Sequence, residues 1–243
     1  MSTPKRKKVD DMYRDFVFYD FFQKAICKVT ELFYPSKCVV CHNFIDNHTD
    51  GVCEKCKSEF NIFDMEICLK NFENNDGFSM LLYTDTIKDI IHNFKYNDCG
   101  FYARAMGKEM GKFFVESNIL SADYIVPVPL HSKRKRERGY NQVEIMALEI
   151  SKITKIPLVT NAFVRKKNTL PQYELDVEKR FKNVEDAFYP KNFECVKGKE
   201  VMLIDDIYTT GATINECRKV LYSMGANKVF YFTLASTKTI TKF

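Results

Sequence analysis

The run from Val201 to Thr213 constrains the fold of this chain more than any other segment. It begins with four apolar residues, continues with the adjacent carboxylates Asp205 and Asp206, and ends in the small, hydroxyl-rich loop 209–213. The apolar residues predict a buried strand, and the loop then opens a helix. In open α/β sheets, ligands bind in the crevice beyond the carboxyl ends of the strands. The run therefore predicts such a crevice beside its two carboxylates.

The order of groups in this run fits a sugar phosphate. Two carboxylates can accept hydrogen bonds from a pair of sugar hydroxyls, and the backbone N–H groups that open a helix favour an anion such as phosphate. A buried strand with a carboxylate helix cap is the alternative, but it does not account for two acids followed by Thr-Thr-Gly-Ala-Thr. We therefore predict a ribose 5-phosphate site. Its ligand-binding residues are Asp205, Asp206, Thr209, Thr210, Gly211, Ala212 and Thr213.

Composition and charge fit a globular protein with an anionic ligand. The chain has 243 residues, 45% of them apolar and 28% charged, which is enough for one medium α/β domain and a small addition. The net charge of +5 is too small to indicate nucleic-acid binding by itself. No apolar stretch reaches the roughly 20 residues of a membrane span, and no apolar core of a signal peptide follows the first residues. We expect a cytoplasmic protein.

Four of the nine cysteines have the spacing of a metal site. Cys38 and Cys41 form one CxxC pair, and Cys53 and Cys56 form a second. Two such turns can place four thiolates around one ion in tetrahedral geometry, which is typical of structural zinc. Four reduced cysteines in a loop are the alternative. We predict one structural zinc ion and a zinc-ribbon-like region over residues 38–75.

The patterning of apolar residues divides the rest of the chain into two parts. Residues 1–37 comprise a polar start and an amphipathic helix. Residues 76–243 alternate strands with helices, which indicates an α/β fold with a mostly parallel sheet flanked by helices. The predicted strands are 78–84, 123–130, 201–204 and 228–235, and the predicted helices include 86–97, 101–117 and 141–154.

Two basic segments are candidates for contacts to a second anion. The predicted loop 131–140 carries five cations in ten residues directly after a strand, and its position would bring Arg138 and Gly139 to a pyrophosphate in the same crevice. A solvated basic run or a nucleic-acid patch is the alternative. Within the polar segment 163–188, we expect Arg165 and Lys167 to belong to a mobile cover over the pyrophosphate. A plain surface hairpin is the alternative there.

From about Phe33 onward, these features resemble the ComF family of competence-associated, phosphoribosyltransferase-like proteins with an N-terminal zinc ribbon. The matching pieces are the two CxxC pairs, Phe94-Lys95-Tyr96, Val126-Pro127-Val128-Pro129-Leu130, Arg138-Gly139-Tyr140-Asn141-Gln142, Thr169-x-x-Gln172, Arg180-x-x-Asn183 and the run 201–213. That run resembles the phosphoribosyl pyrophosphate (PRPP) signature of type I phosphoribosyltransferases. Residues 123–235 are more distantly similar to the synthase half of glutamine phosphoribosylpyrophosphate amidotransferase. The resemblance implies a type I phosphoribosyltransferase-like domain over residues 76–243.

The resemblance also implies an activity, namely binding of PRPP with magnesium and transfer of its phosphoribosyl group to an acceptor that the sequence does not identify. The catalytic residues would be Asp205, Asp206 and Arg138, because the reaction requires a fixed ribose and neutralisation of the departing pyrophosphate. Residue 2 is serine instead of a cysteine nucleophile, and no glutaminase domain precedes the sheet. We therefore do not expect glutamine-dependent amide transfer.

The family's link to competence implies a second, non-catalytic function. In that case the same pocket would bind a nucleotide or single-stranded DNA during DNA uptake, together with a helicase-like partner. The basic segment and the lack of a recognisable acceptor site favour this hypothesis. The lack of tryptophan and of interleaved aromatic and basic residues is against it.

Overall fold

The computed structural model describes residues 37–45, 51–59, 77–96, 100–118, 122–169 and 177–237. The predicted amphipathic helix of residues 1–37 and much of region 38–75 lie outside these ranges. The helices are α1 (Glu54–Ser58), α2 (Asp85–Tyr96), α3 (Gly100–Ser117), α4 (Ser132–Arg138), α5 (Gln142–Thr154), α6 (Val177–Val184) and α7 (Ala212–Ser223). The strands are β1 (Gly77–Leu82), β2 (Tyr124–Pro127), β3 (Phe163–Arg165), β4 (Phe188–Pro190), β5 (Glu200–Tyr208) and β6 (Lys228–Ser236).

Within the described residues, the central sheet has four strands in the order β1-β6-β5-β2. Every neighbouring pair is parallel. The inner strand β6 is buried from Val229 to Ser236, and the inner strand β5 is buried from Val201 to Asp206, beginning with its apolar run 201–204. Continuous apolar runs of this kind are expected where helices cover both faces of a parallel sheet. The predicted α/β fold, a parallel sheet flanked by helices, is confirmed.

The two faces of the sheet pack against different elements. On one face, here called the α3 face, Met202, Ile204, Phe230 and Phe232 pack with residues of α2, α3 and α5. On the other face, here called the α7 face, Val201, Leu203, Val229 and Tyr231 pack with α7 and with strands β3 and β4. Side chains at even and odd positions of β5 therefore point to opposite faces, as the pleat of a strand requires.

Helices α3 and α5 approach each other closely at Gly107. A Cβ atom at this position would lie 2.7 Å from the Cα and 2.8 Å from the carbonyl oxygen of Met146, and both are backbone atoms. We expect Gly107→Ala to lower the free energy of unfolding by about 1–3 kcal/mol, because the helices must move apart. Denaturant unfolding measures this loss. Gly100→Ala on the same helix is the control, since its Cβ would meet only the end of the Ile145 side chain at 3.3 Å.

The predicted basic loop 131–140 is mostly the helix α4, so that prediction was wrong. The helix has no buried residue, and it therefore lacks the apolar periodicity by which helices are recognised. Its lysine and arginine residues nevertheless favour helix formation. His131 caps its start by accepting a hydrogen bond from the Lys133 N–H at 3.2 Å, and Gly139 ends it with φ 80°.

The polar segment 163–188 contains more regular structure than its sequence indicates. Strands β3 and β4 pair antiparallel, with Val164 opposite Tyr189, and α6 lies between them in the chain. Residues 170–176 of the predicted cover lie outside the described residues. None of the helices within the described ranges is long and apolar enough to cross a membrane.

Candidate functional site

Asp205 and Asp206 lie near the carboxyl end of β5, which continues to Tyr208. Both residues are buried, each with 8% of its surface exposed. They follow Leu203, which packs on the α7 face, and Ile204, which packs on the α3 face. The alternation along the strand therefore directs Asp205 towards the α7 face and Asp206 towards the α3 face, so the two acids flank the end of the strand.

Asp206 is connected to Arg138 through the side chain of Gln142. The Gln142 amide donates a hydrogen bond from Nε2 to Oδ2 of Asp206 at 3.0 Å. Its Oε1 accepts a hydrogen bond from Nη1 of Arg138 at 2.5 Å. The structure thus brings two of the predicted site residues to opposite ends of one buried amide.

Asp205 and Asp206 both lie within the electrostatic range of the Arg165 guanidinium, which belongs to β3. Burial, followed by repulsion from Arg134, lowers the pKa of Arg165, and the charges of Cys217, Asp205 and Asp206 act in the opposite direction. The Nε atom of Arg165 is buried and has no hydrogen-bond partner among the described residues. Burial and the nearby charge of Asp205 raise the pKa of the Cys217 thiol.

The loop that follows β5 opens helix α7. Gly211 precedes the helix with φ 83°, and its carbonyl oxygen accepts the first helical hydrogen bond from Asn215 N–H at 2.8 Å. A Cβ atom at Gly211 would lie 2.7 Å from the Tyr208 hydroxyl, so no larger residue fits without a shift. A small pocket is lined by Ile207, Tyr208, Thr209, Gly211, Ala212, Thr213 and Ile214. The predicted phosphate-binding residues thus surround the amino end of a helix, where backbone N–H groups are available to an anion.

Thr169 joins the segment after β3 to helix α4. The guanidinium of Arg165 donates to the Thr169 hydroxyl, and Nη2 of Arg134 donates to the Thr169 carbonyl oxygen at 2.6 Å. Lys167 is directed elsewhere, because its ammonium group is exposed and donates to the Glu185 carbonyl oxygen at 3.3 Å. Gly139 is exposed at the end of α4. Arg165 is therefore near the acids, whereas Lys167 is held by the chain just before β4.

Sequence reasoning did not assign roles to three residues of this network, Gln142, Arg134 and Thr169. Gln142 and Thr169 belong to motifs recognised in the sequence, so a signal was present for both. Arg134 is one of five cations in a short run, and nothing in the sequence distinguishes it from its neighbours.

The four predicted metal ligands, Cys38, Cys41, Cys53 and Cys56, form one cluster. Their sulfur atoms all lie within 4.8 Å of one another, and none is in a disulfide. The Sγ atoms of Cys41 and Cys53 are 3.8 Å apart. A tetrahedral site with metal–sulfur bonds of about 2.3 Å has sulfur–sulfur edges of about 3.8 Å. The cluster therefore has the donor set and the spacing of a tetrahedral metal site.

Cys38 is poised to become a thiolate. Its sulfur accepts hydrogen bonds from the N–H groups of Val40 and Cys53, both at 3.4 Å. Burial raises the pKa of Cys38, but the backbone N–H groups outweigh burial and lower the pKa from 9.0 to about 7. Metal binding requires deprotonated sulfur, so this environment favours a ligand.

The cysteine region packs directly on α3. Cys38, Val39, Val52 and Cys56 belong to the same apolar cluster as the helices of the α3 face. Gly51 adopts φ 75°, and a Cβ atom there would lie 2.5 Å from the Cβ of Ala105 on α3. A metal at the cysteines would therefore also support part of the main core.

The fold and the site together define a class of protein, an α/β protein with a candidate ligand crevice at the carboxyl end of a parallel sheet and a four-cysteine cluster. The chain is 25% identical over 226 residues to Competence protein F of Haemophilus influenzae, covering 84% of this chain and 98% of that protein. It is 26% identical to Competence protein ComFC of Bacillus subtilis, covering 88% and 90%. It is 28% identical to the DNA utilization protein YhgH of Escherichia coli, covering 64% and 69%. These relatives confirm the resemblance to the ComF family that the sequence motifs indicate.

Among solved structures, the chain is similar to the glutamine PRPP amidotransferase of Bacillus subtilis, with 19% identity and a TM-score of 0.38. The match covers 54% of this chain and only 26% of that protein, so it spans about a quarter of its length. No family model matches the sequence.

Proposed function

We propose that the crevice at the end of β5 binds PRPP with magnesium, or another ligand that contains ribose 5-phosphate, and that the protein transfers the phosphoribosyl group to an acceptor. The observation that carries this proposal is the buried pair Asp205 and Asp206, followed within a few residues by the Gly211 turn and the amino end of α7. The carboxylates supply hydrogen-bond acceptors for a diol. The backbone N–H groups at the adjacent helix start supply donors for a phosphate.

Each part of the crevice has a proposed role. Asp205 and Asp206 hold the ribose hydroxyls, and the N–H groups and hydroxyls of residues 209–213 hold the 5-phosphate. Arg138, Gly139 and Arg165 contact the pyrophosphate, and Lys167 does so when the segment around it closes. Magnesium bound together with PRPP would supply further positive charge beside the pyrophosphate, in addition to that of the arginine side chains.

We further propose that zinc is the metal of the cysteine cluster. Four cysteine sulfurs at the observed spacing are the donor set of structural zinc sites. With no position left for water or substrate, the ion has no part in the transfer reaction and acts only on the stability of the fold.

A second candidate function is the binding of single-stranded DNA or a nucleotide in DNA uptake, with a helicase-like partner and without catalysis. Two observations favour it. The relatives are named as competence and DNA utilization proteins. In addition, Lys133 and Arg136 on α4 are exposed cations beside the crevice. Such cations suit the phosphates of a nucleic-acid backbone.

The double variant Arg138→Ala with Lys167→Ala separates the two functions. If the protein is a transferase, we expect the rate of pyrophosphate release from PRPP to fall by about 100-fold or more, while ribose 5-phosphate affinity changes little, because these cations act on charge that grows in the transition state. If it is a DNA-binding module, the variant loses affinity for single-stranded DNA, and the log–log salt slope falls by about one unit per lost phosphate contact. Both assays are run on the same preparation, with a panel of bases and amines as acceptors.

Lys197→Ala with Lys199→Ala is the matched control, because it removes the same charge. Both lysines lie just before β5, at the amino end of the strand and away from the crevice at its carboxyl end. Wild-type protein that binds DNA and releases no pyrophosphate with any acceptor would contradict the transferase. Turnover without DNA binding above background would remove the alternative.

A further inference from the structure

Gln142 separates two charged groups of the proposed site that would otherwise pair with each other. It is the first residue of α5, and only 4% of its surface is exposed. Its donor end contacts Asp206 at 3.0 Å and its acceptor end contacts Arg138 at 2.5 Å. One amide therefore donates a hydrogen bond to a carboxylate at one end and accepts one from a guanidinium at the other.

The backbone of Gln142 is fixed before any ligand arrives. Asn141 caps the start of α5, with its Oδ1 accepting from Val143 N–H at 3.1 Å. The Nδ2 of Asn141 donates to the Val128 carbonyl oxygen, also at 3.1 Å, which ties the helix start to the end of β2. Folding has therefore already ordered this position, so ligand binding costs little further conformational entropy there.

The surrounding charges explain why an amide is needed here. Arg138 lies on one side and Asp206 on the other, while Asp205 is adjacent in the strand and the Arg165 charge acts on both acids. Glu144, one residue further along α5 from Val143, is engaged with Lys135 at 2.7 Å. Direct pairing of Arg138 with Asp206 would satisfy each group with the other instead of with a ligand. A neutral residue with both a donor and an acceptor keeps both charges oriented and separate.

We propose that Gln142 is a positioning residue of the ligand site. Its amide N–H orients the Asp206 carboxylate for the ribose hydroxyls, and its amide oxygen orients the Arg138 guanidinium for the pyrophosphate. This inference rests on the proposed function, because it assigns Gln142 to the same crevice. It adds a residue that touches no ligand and acts only through its two neighbours.

The variant Gln142→Glu tests this role, because glutamate keeps the acceptor for Arg138 and replaces the donor to Asp206 by a second acceptor. At about pH 8, two facing carboxylates repel, and we expect ribose 5-phosphate affinity to fall about tenfold or more. Repulsion raises the pKa of the pair, so the pair takes up one shared proton as the pH falls to about 5.5. The shared proton restores the hydrogen bond, and the affinity then returns towards that of wild type at the same pH.

Gln142→Met is the matched variant, because it has a similar length and neither a donor nor a proton to gain. It is expected to bind ribose 5-phosphate more weakly at both pH values, with no recovery. Titration calorimetry of the three proteins at the two pH values gives the comparison. A merely structural role for Gln142 would change the thermal midpoint of Gln142→Glu with pH but would leave the ribose 5-phosphate affinity of the folded protein close to that of wild type.

Thermal unfolding of the same proteins tests the contact without a ligand. The folded-state pKa of the carboxyl pair in Gln142→Glu exceeds its unfolded value, so the variant binds more protons when folded and loses stability as the pH rises. We expect its midpoint at about pH 8 to lie below wild type, and to recover on acidification and on adding Asp206→Asn, which restores a donor.

The outcomes separate this inference from the proposed function. Wild-type protein that binds neither ribose 5-phosphate nor PRPP overturns the proposed function and this role with it. Wild-type binding together with a Gln142→Glu affinity that is unchanged, or reduced by the same factor at both pH values, overturns the positioning role alone. Recovery of both stability and affinity at low pH in Gln142→Glu, without recovery in Gln142→Met, supports it.

Discussion

Protein in which Cys38 and Cys41 are both replaced by serine is expected to contain no zinc, whereas the wild-type protein is expected to carry about one ion per chain. The two substitutions remove half of the four sulfur ligands that lie within 4.8 Å of one another. A structural zinc site of this type contributes about 10–16 kcal/mol of apparent binding free energy, which is coupled to folding of the residues around it. Metal analysis of protein purified without chelator measures the loss.

The consequences should extend beyond the cysteine region. Because Cys38, Val39, Val52 and Cys56 pack in the apolar cluster of the α3 face, loss of the metal exposes part of α3 to solvent. We expect rapid proteolysis in residues 37–59 and a lower thermal midpoint for the whole chain, with the parallel sheet retained in circular dichroism.

Cys195→Ser is the control for this experiment. Its sulfur donates to the Asn192 carbonyl oxygen at 2.9 Å, a contact that a serine hydroxyl can repeat, and it lies outside the cluster. The variant should retain zinc and stability. Full retention of zinc by the Cys38 and Cys41 double variant would rule out the cluster as the metal site.

The sequence was most informative where chemistry and local pattern coincide. The apolar run 201–204 predicted the central strand β5, because parallel strands covered on both faces contain few polar residues. The two CxxC pairs predicted the cysteine cluster for a similar reason, since each short turn fixes two sulfurs on one side of an ion. Both features are set by neighbouring residues, so one sequence is sufficient to find them.

Elements that depend on propensity alone were harder to predict. Helix α4 buries no residue, so no apolar periodicity marks it. Strand β5 extends to Tyr208, four residues beyond its apolar run, because Asp205, Ile207 and Tyr208 continue the pairing with β6. The opposite orientation of the two acids follows from this extension.

The contacts within the candidate site could not be derived from spacing along the chain. Gln142 reaches Asp206 across 64 residues, and Arg134 reaches Thr169 across 35. These contacts depend on the packing of α5 against β2 and β5 and on the position of α4, which directly precedes α5. A sequence shows which residues carry the chemistry, whereas the fold decides which of them meet.

The double variant Asp205→Asn with Asp206→Asn is expected to lose ribose 5-phosphate binding while remaining folded. Each substitution keeps the size of the side chain and removes a charged acceptor. Hydrogen bonds to charged groups contribute about 1.5–3 kcal/mol each, so two lost contacts weaken affinity by about 100-fold or more. In the Asp206→Asn substitution the side chain keeps one oxygen, to which the Gln142 amide can still donate, and this limits the effect on folding.

Asp123→Asn is the matched control for these acids. It is the same chemical change at an exposed carboxylate just before β2. There Asp123 accepts a hydrogen bond from the Glu200 N–H at 2.9 Å, at the amino ends of β2 and β5 and away from the crevice. This variant should bind ribose 5-phosphate as wild type does, although the Lys199 contact to Asp123 is weakened.

Titration calorimetry of ribose 5-phosphate against wild type, the double acid variant and Asp123→Asn tests the central claim most directly, because the ligand contains only the diol and the phosphate that the crevice is proposed to hold. The claim predicts saturable binding to wild type and Asp123→Asn, and loss of binding in the double variant with an unchanged circular dichroism spectrum. Equal affinity in all three proteins, or no binding to wild type at millimolar ligand, would contradict it.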